Sequence, residues 1–327
     1  MKEKRQGLVH LMQGIPIIIA LVFLAGGAGA AEKDKYPAKP ITMIVPYVAG
    51  SGLDIEVRGI QPFLQKHLGV PLVIANMPGA DGRLGLTKAF KAPNDGYTIL
   101  SPGWPAPVVG ELMFKPDYRS LEFAFIGAWT ESNYVVVVHA DNWKTMAELV
   151  KAGKEKTLNC GLAGLSSVAR VLGEALADVA GIKLNWIPFG GGGEYMAQLA
   201  GKHIDLAIAS TSSVQSMVRA GRVRALMVIG NEKDSVFPQI PLGKEAGYPV
   251  PALPNTRSIV APPGTSPAKV RIIEQALIKS VNEPAFQKWI KDRGMDITLR
   301  NHEQFRKDAE ENFNTIKKYI SRMTIKN

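Results

Sequence analysis

Short apolar runs recur along this chain with helix-like segments between them, and that alternation constrains the fold more than any single motif. The runs are Ile41–Val45, Leu72–Ala75, Thr98–Leu100, Phe123–Ala128, Tyr134–Val138, Leu158–Cys160, Leu184–Pro188, Ile204–Ala209, Arg224–Ile229 and Ser258–Ala261. Helical periodicity is expected over Leu53–Leu68, Leu84–Lys91, Met146–Ala152, Val168–Ala180, Tyr195–Ala200 and Ser213–Ala220. Three more helices, Pro267–Ser280, Pro284–Arg293 and His302–Met323, are expected to close the chain. Strands separated by helices join through crossovers, so the pattern predicts an α/β architecture of mixed, mainly parallel sheets flanked by helices. In the first helix, Ile55, Ile60 and the Phe63–Leu64 pair are expected to share an apolar face.

The N-terminus is of another kind. Lys2, Lys4 and Arg5 precede an apolar run from Ile15 to Leu24, and Ala28-Gly29-Ala30 follows with the small residues of a cleavage site. This predicts a secretory signal over residues 1–30, cleaved near Ala30, and an exported product. The apolar run is short of the roughly 18 residues that a membrane span needs. A single cysteine, Cys160, allows no internal disulfide, and it lies too far from the cleavage point for a lipid anchor there. The formal net charge is +10, and the first 30 residues hold three basic and one acidic side chain, so the remainder keeps +8. That surplus suits an anionic solute. The basic residues are scattered rather than patched, which argues against nucleic acid, and the dense stretch Arg306–Lys318 alternates with Asp308, Glu310 and Glu311 as a solvated helix face does.

Tyr36–Ile60 sets an apolar strand, a small-residue loop and a helix start in immediate succession. Small residues let a backbone approach a ligand closely, and the free N–H groups of a helix start favour negative charge. A carboxylate is therefore the expected ligand. The segment IVPYVAGSGLD, the run Leu72–Gly82 with Asn76-Met77-Pro78-Gly79-Ala80-Asp81-Gly82, the Pro93–Leu100 strand entry, Ile187–Ala209, Gly221–Gly230 and Ile259–Pro267 all resemble, in order, segments of the Bug-type solute receptors of tripartite tricarboxylate transporters. The resemblance covers nearly the whole mature chain. It implies a two-lobed periplasmic-binding-protein fold, type II-like, with a ligand cleft between the lobes. One lobe would hold residues 31–133 and 256–327 and the other 134–255, with crossings near Ser132–Tyr134 and Asn255–Arg257. It also implies a monomer that carries a small organic carboxylate to membrane transporter subunits, with no cofactor and no metal. Two positions depart from the family pattern. Ala49-Gly50-Ser51 stands for the usual Pro-Gly-Gly, and Ser167-Val168-Ala169-Arg170 has arginine where the family has histidine.

Candidate ligand residues follow from the loops at strand ends. Tyr47, Gly50, Ser51, Gly52 and Asp54 form the first, where Asp54 reads as a helix cap, or, as the resemblance implies, as a partner for polar or ammonium groups of the solute, and Tyr47 as a packed aromatic or a ring over the ligand. Gly164, Ser166 and Ser167 form an analogous loop in the second lobe, with Arg170 one turn in, poised for a bidentate pair with a carboxylate or for solvent. Phe189, Gly190 and Gly191 open a glycine run without the Lys-Ser/Thr of a phosphate loop. Ser101 and Trp104 end another strand, with Trp104 expected to wall the pocket. Catalytic constellations are absent from the sequence pattern. The five histidines stand apart, and Cys160 sits at an apolar strand end without a base beside it. The rival readings are an exported enzyme acting on an acidic small molecule through Asp54, Arg170 and the glycine loop, and a solute sensor that docks on a signalling partner.

Overall fold

The computed structural model describes residues 36–293 and 295–320, so the expected signal segment lies outside the described residues. Alternating strand and helix build the first half-lobe. β1 (Ile41–Val45) is followed by α1 (Gly52–Leu68), β2 (Leu72–Asn76), α2 (Arg83–Phe90) and β3 (Thr98–Leu100), and β1 pairs in parallel with both β2 and β3. After α3 (Ala106–Phe114), β4 (Ala124–Ser132) completes the outward chain.

The chain then crosses. β5 (Tyr134–His139), α4 (Met146–Glu155), β6 (Leu158–Ala163), α5 (Val168–Ala180), β7 (Leu184–Phe189), α6 (Gly192–Ala200), β8 (Leu206–Ser210), α7 (Thr211–Arg219) and β9 (Val223–Ile229) form the second lobe around a five-stranded sheet of order β7-β6-β8-β5-β9. β10 (Asn255–Ala261) returns to the first sheet, and α8 (Pro267–Val281), α9 (Pro284–Lys291), β11 (Asp296–Arg300) and α10 (His302–Ile320) finish it, giving the order β11-β4-β10-β3-β1-β2.

Both sheets are mixed, for a topological reason. Parallel pairing joins β1, β2 and β3 in one lobe and β6, β7 and β8 in the other, where helices supply the crossovers. A strand that arrives from the other lobe enters its sheet from the opposite end. β10 therefore lies antiparallel to β3 and β4, and β5 antiparallel to β8 and β9. The consequence for the site is direct: the C-terminal ends of β1, β2 and β3 face those of β6, β7 and β8 across one flank of the crossing strands.

Packing corrects some expectations. In α1 the buried stripe is Leu53, Val57, Ile60, Leu64 and Leu68, whereas Ile55 is 46% exposed. Each fully buried aliphatic side chain of this kind contributes about 1.5–3 kcal/mol. α3, which is not among the expected helices, has Pro105 at its N-cap and Pro107 in its first turn. Prolines are tolerated in a first turn, whose N–H groups have no helical partner to lose. β11 is a short edge strand with half-buried alternating residues, too weak a signal for sequence reading. α10 buries Phe305, Ala309 and Ile316 and packs on β4 and α3 of the first lobe and on α5 of the second, so it braces the pair.

Candidate ligand site between the lobes

The first-lobe loop is held by its own side chains. Ser51 caps α1, its hydroxyl accepting from the Asp54 amide at 3.3 Å. The Asp54 carboxylate, 2% exposed, accepts from the Gly50 amide at 2.8 Å, from Arg58 Nε at 2.9 Å and from Asn76 Nδ2 at 2.8 Å. Burial alone would raise this carboxyl's pKa, but the hydrogen bonds from Arg58, Gly50 and Asn76 together outweigh it and hold the group below the ordinary carboxylate value. Asn76, at the end of β2, also donates to the Tyr47 carbonyl at 3.1 Å. Asp54 is not itself the N-cap, which is Ser51; from the first turn of α1 its oxygens are taken up by Gly50, Arg58 and Asn76. Gly50 has a φ of 79°, in the left-handed region that glycine adopts freely, and Gly52 starts α1 and is exposed.

Behind this loop lies a cation that sequence reading passed over. Arg257, at the head of β10, is 8% exposed and grips Glu56 of α1 through two 2.8 Å hydrogen bonds, with a third to Asn255 Oδ1 at 2.8 Å. The phenols of Tyr47 and Tyr134 are both pushed well up by burial, and both feel the Arg257 charge, which lowers them in part. They stay neutral O–H groups at any physiological pH. Tyr195, on α6, is likewise pushed up to about 12, chiefly by burial. A signal existed for Arg257: it is a lone charge heading the apolar run Ser258–Ala261, on a crossing segment.

The second-lobe loop is built differently. Ser167 occupies the N-cap position of α5 but makes no cap hydrogen bond, and its buried hydroxyl has no partner among the described residues. Ser166, 6% exposed, donates instead across the cleft to Asp81 Oδ2 at 2.6 Å. Gly164, with a φ of 79°, lies under that contact, where a Cβ would come within 2.8 Å of Asp81 Oδ1. Ser101, at the cleft end of β3, is wholly buried, and its hydroxyl too is without a partner among the described residues. Phe189 ends β7 half-buried, the Gly190 amide donates to Glu194 Oε2 at 2.9 Å, and Gly191 precedes α6 in an extended conformation.

Two expected ligand residues are spent elsewhere. Trp104, 1% exposed, packs edge-on against Phe125 and Phe305 in the first-lobe core, 5.4 and 5.5 Å between ring centres, so it does not wall the cleft. Its backbone bridges to Thr256, which draws the ring inward despite the flanking prolines. Arg170, 5% exposed, sits neither in solvent nor at the loop. Its guanidinium lies 3.6 Å from Glu174, one turn farther from the cleft, and 5.7 Å from the centre of the Trp186 ring. Burial pulls its pKa down, with Glu174 opposing. The enzyme reading drew on Asp54 and Arg170, and each directs its charge to a neighbour within its own lobe. Cys160 is buried, its thiol pushed up to about 12 by desolvation, which makes it a poor nucleophile.

A cavity of about 460 Å³ lies on the other flank of the crossing strands, lined by Glu131, Asn133, Glu232, Asp296 and Arg300 among others. Its carboxylates make it a poor place for an acid. The flank with helix starts, hydroxyls and Arg257 is the candidate site.

Known proteins agree with this architecture. BugT of Bordetella pertussis is 28% identical over 304 residues, 91% of this chain and 93% of its own. A TctC solute binding protein from Polaromonas superposes with a TM-score of 0.74 at 26% identity, covering 88% of this chain and 99% of that one. MatC from Rhodopseudomonas palustris, solved with bound malate, gives a TM-score of 0.74 at 25% identity, covering 88% of this chain and all of that one. The family model described as the tripartite tricarboxylate transporter family receptor matches residues 57–325, so the chain belongs to that family of solute receptors.

Proposed function

We propose that the protein is an extracytoplasmic receptor that captures a small organic carboxylate between its lobes and hands it to the membrane subunits of a tripartite tricarboxylate-type transporter. In this reading residues 1–30 are a cleaved signal, the mature chain works as a periplasmic monomer, and the lobes are 31–133 with 256–327 and 134–255. One observation carries it. Among the described residues two buried hydroxyls are without partners, Ser101 after β3 in one lobe and Ser167 at the start of α5 in the other, and the neutral phenols of Tyr47 and Tyr134 both feel the Arg257 charge. Hydroxyl and phenol donors suit a carboxylate, which offers only acceptors; the Arg257 charge behind them is already paired with Glu56, so the neutral donors make the contact. A desolvated donor left unpaired costs about 1–3 kcal/mol, so a ligand oxygen that meets it gains that much back on binding. The malate bound to MatC supports the same ligand class.

Binding to the folded state alone stabilises it by RT ln(1 + [L]/Kd), about 2.7 kcal/mol at a hundredfold excess over Kd. Thermal-shift measurements across a library of organic acids should find at least one strong stabiliser, and its amide or ester should lose most of the shift. Equal response to acid and amide would remove the reading.

A further inference from the structure

The place where a second carboxylate of a diacid would most readily settle is the start of α5, with its free N–H groups and the hydroxyls of Ser166 and Ser167. The protein's own carboxylate is already there. Asp81 belongs to the first lobe, yet its Oδ2 accepts from Ser166 Oγ of the second at 2.6 Å, the short distance of a charge-assisted O–H···O⁻ bond. The loop that delivers it is unusual. Gly79, Ala80, Asp81 and Gly82 all have positive φ, at 131°, 49°, 53° and 88°. Ala rarely adopts that region, Asp more readily, and the strain at Ala80 persists only where the surroundings over-determine it. Gly164, whose φ of 79° calls for glycine in any case, leaves the group room: a Cβ there would come within 2.8 Å of Asp81 Oδ1. On its own lobe Asp81 is steadied by Arg83 Nη1 at 3.8 Å, and the Arg83 guanidinium is itself stacked 3.7 Å from the Phe114 ring centre.

Resting on the reading of the cleft as a carboxylate site, we infer that Asp81 is a specificity-determining residue: it stands in for the distal carboxylate of a diacid and turns the receptor towards monocarboxylates, above all those whose far end carries a hydroxyl or ammonium donor. A diacid that spans the cleft sets its second charge beside Asp81 and must displace the bond to Ser166. A hydroxy or amino acid of the same length shares Asp81 as an acceptor. The buried, partnerless hydroxyl of Ser167, next in sequence to Ser166, supplies the remaining polar contact at this end.

The test is titration calorimetry on the mature protein with matched acids of increasing length: butyrate, 4-hydroxybutyrate and succinate, then hexanoate, 6-hydroxyhexanoate and adipate. At the length the parent binds best, the hydroxy acid should bind at least about tenfold more tightly than the diacid. Asp81→Asn keeps an acceptor for Ser166 and tolerates the left-handed backbone, and Asp81→Gly removes the side chain without strain, so both variants should fold. In each, the hydroxy-acid to diacid ratio should fall by at least about tenfold. A parent that prefers the diacid, or a ratio that neither variant moves while acids still bind, overturns this inference alone. Absence of binding by every acid in parent and variants overturns the carboxylate reading of the cleft and this inference with it.

Discussion

The loop after β1 and the loop after β6 share one pattern, strand, small residues, hydroxyls and helix, yet they reach opposite chemical states. The first is closed on itself. Ser51 caps its helix, and Asp54 absorbs the Gly50 amide, Arg58 and Asn76. The second is left open. Ser167 sits at the cap position without making the cap bond, and Ser166 spends its hydroxyl on the opposite lobe. The difference lies in the acid three residues after the N-cap serine of α1. Asp54 takes up the donors around Ser51, whereas the corresponding position after Ser167 is Arg170, which supplies no acceptor and turns to Glu174. A self-satisfied loop can be rigid without a ligand. An open one keeps donors for something that crosses the cleft.

Substitutions in the two loops and in the ion pair behind the first would break or sharpen that contrast. The largest effect should come from the ion pair that anchors the closed loop's helix. Glu56 and Arg257 are both under 10% exposed and joined by two hydrogen bonds, and removing one partner of such a pair costs about 3–5 kcal/mol. Glu56→Ala should show that loss in urea denaturation, and pairing Glu56→Leu with Arg257→Met should recover much of it; a loss below about 1 kcal/mol would mean the pair is dispensable.

Next comes Asp54→Ala, expected to lose roughly 2 kcal/mol because three donors are left without their acceptor. Its pH signature has a definite sign. The folded pKa is lowered, so the contribution is fully present above the unfolded value of about 3.9 and is lost as pH falls through the folded value. Acid titration of stability should therefore be steeper in the parent than in Asp54→Asn below about pH 4. Parallel curves would show that the carboxylate carries no linkage.

Ser51→Ala should cost about 1 kcal/mol, the worth of an N-cap. Ser167→Ala should leave unliganded stability within about 0.5 kcal/mol of the parent while weakening the best acid. If Ser167→Ala destabilises the free protein as much as Ser51→Ala, the two loops are alike and the contrast fails.

Much of the fold was legible because it rests on local rules. The apolar runs named β1 and β3 to the residue, and helix periodicity named α5. The loops facing the cleft were legible for the same reason, since glycine, serine and a helix start carry their meaning locally. What escaped was pairwise. Asp81 was visible inside its Asn-Met-Pro-Gly-Ala-Asp-Gly run, but its partner lies 85 positions away. Arg257 and Glu56 are 201 positions apart. Trp104 and Arg170 were misjudged because exposure was inferred from neighbours in sequence, whereas Phe305 of α10 and Trp186 of β7 decided it in space.

The sequence by itself determined the class of architecture, the family, the positions of the strand-end loops and the surplus of positive charge, all properties that sum over short windows of chain. Only the tertiary structure decided which of the loop groups remain available. A carboxylate or guanidinium is attracted to whichever counter-group folding brings within hydrogen-bonding distance, and that choice is made between lobes. By that rule Asp54 became a brace, Arg170 a buried companion of Glu174, and Asp81 a charge held across the cleft.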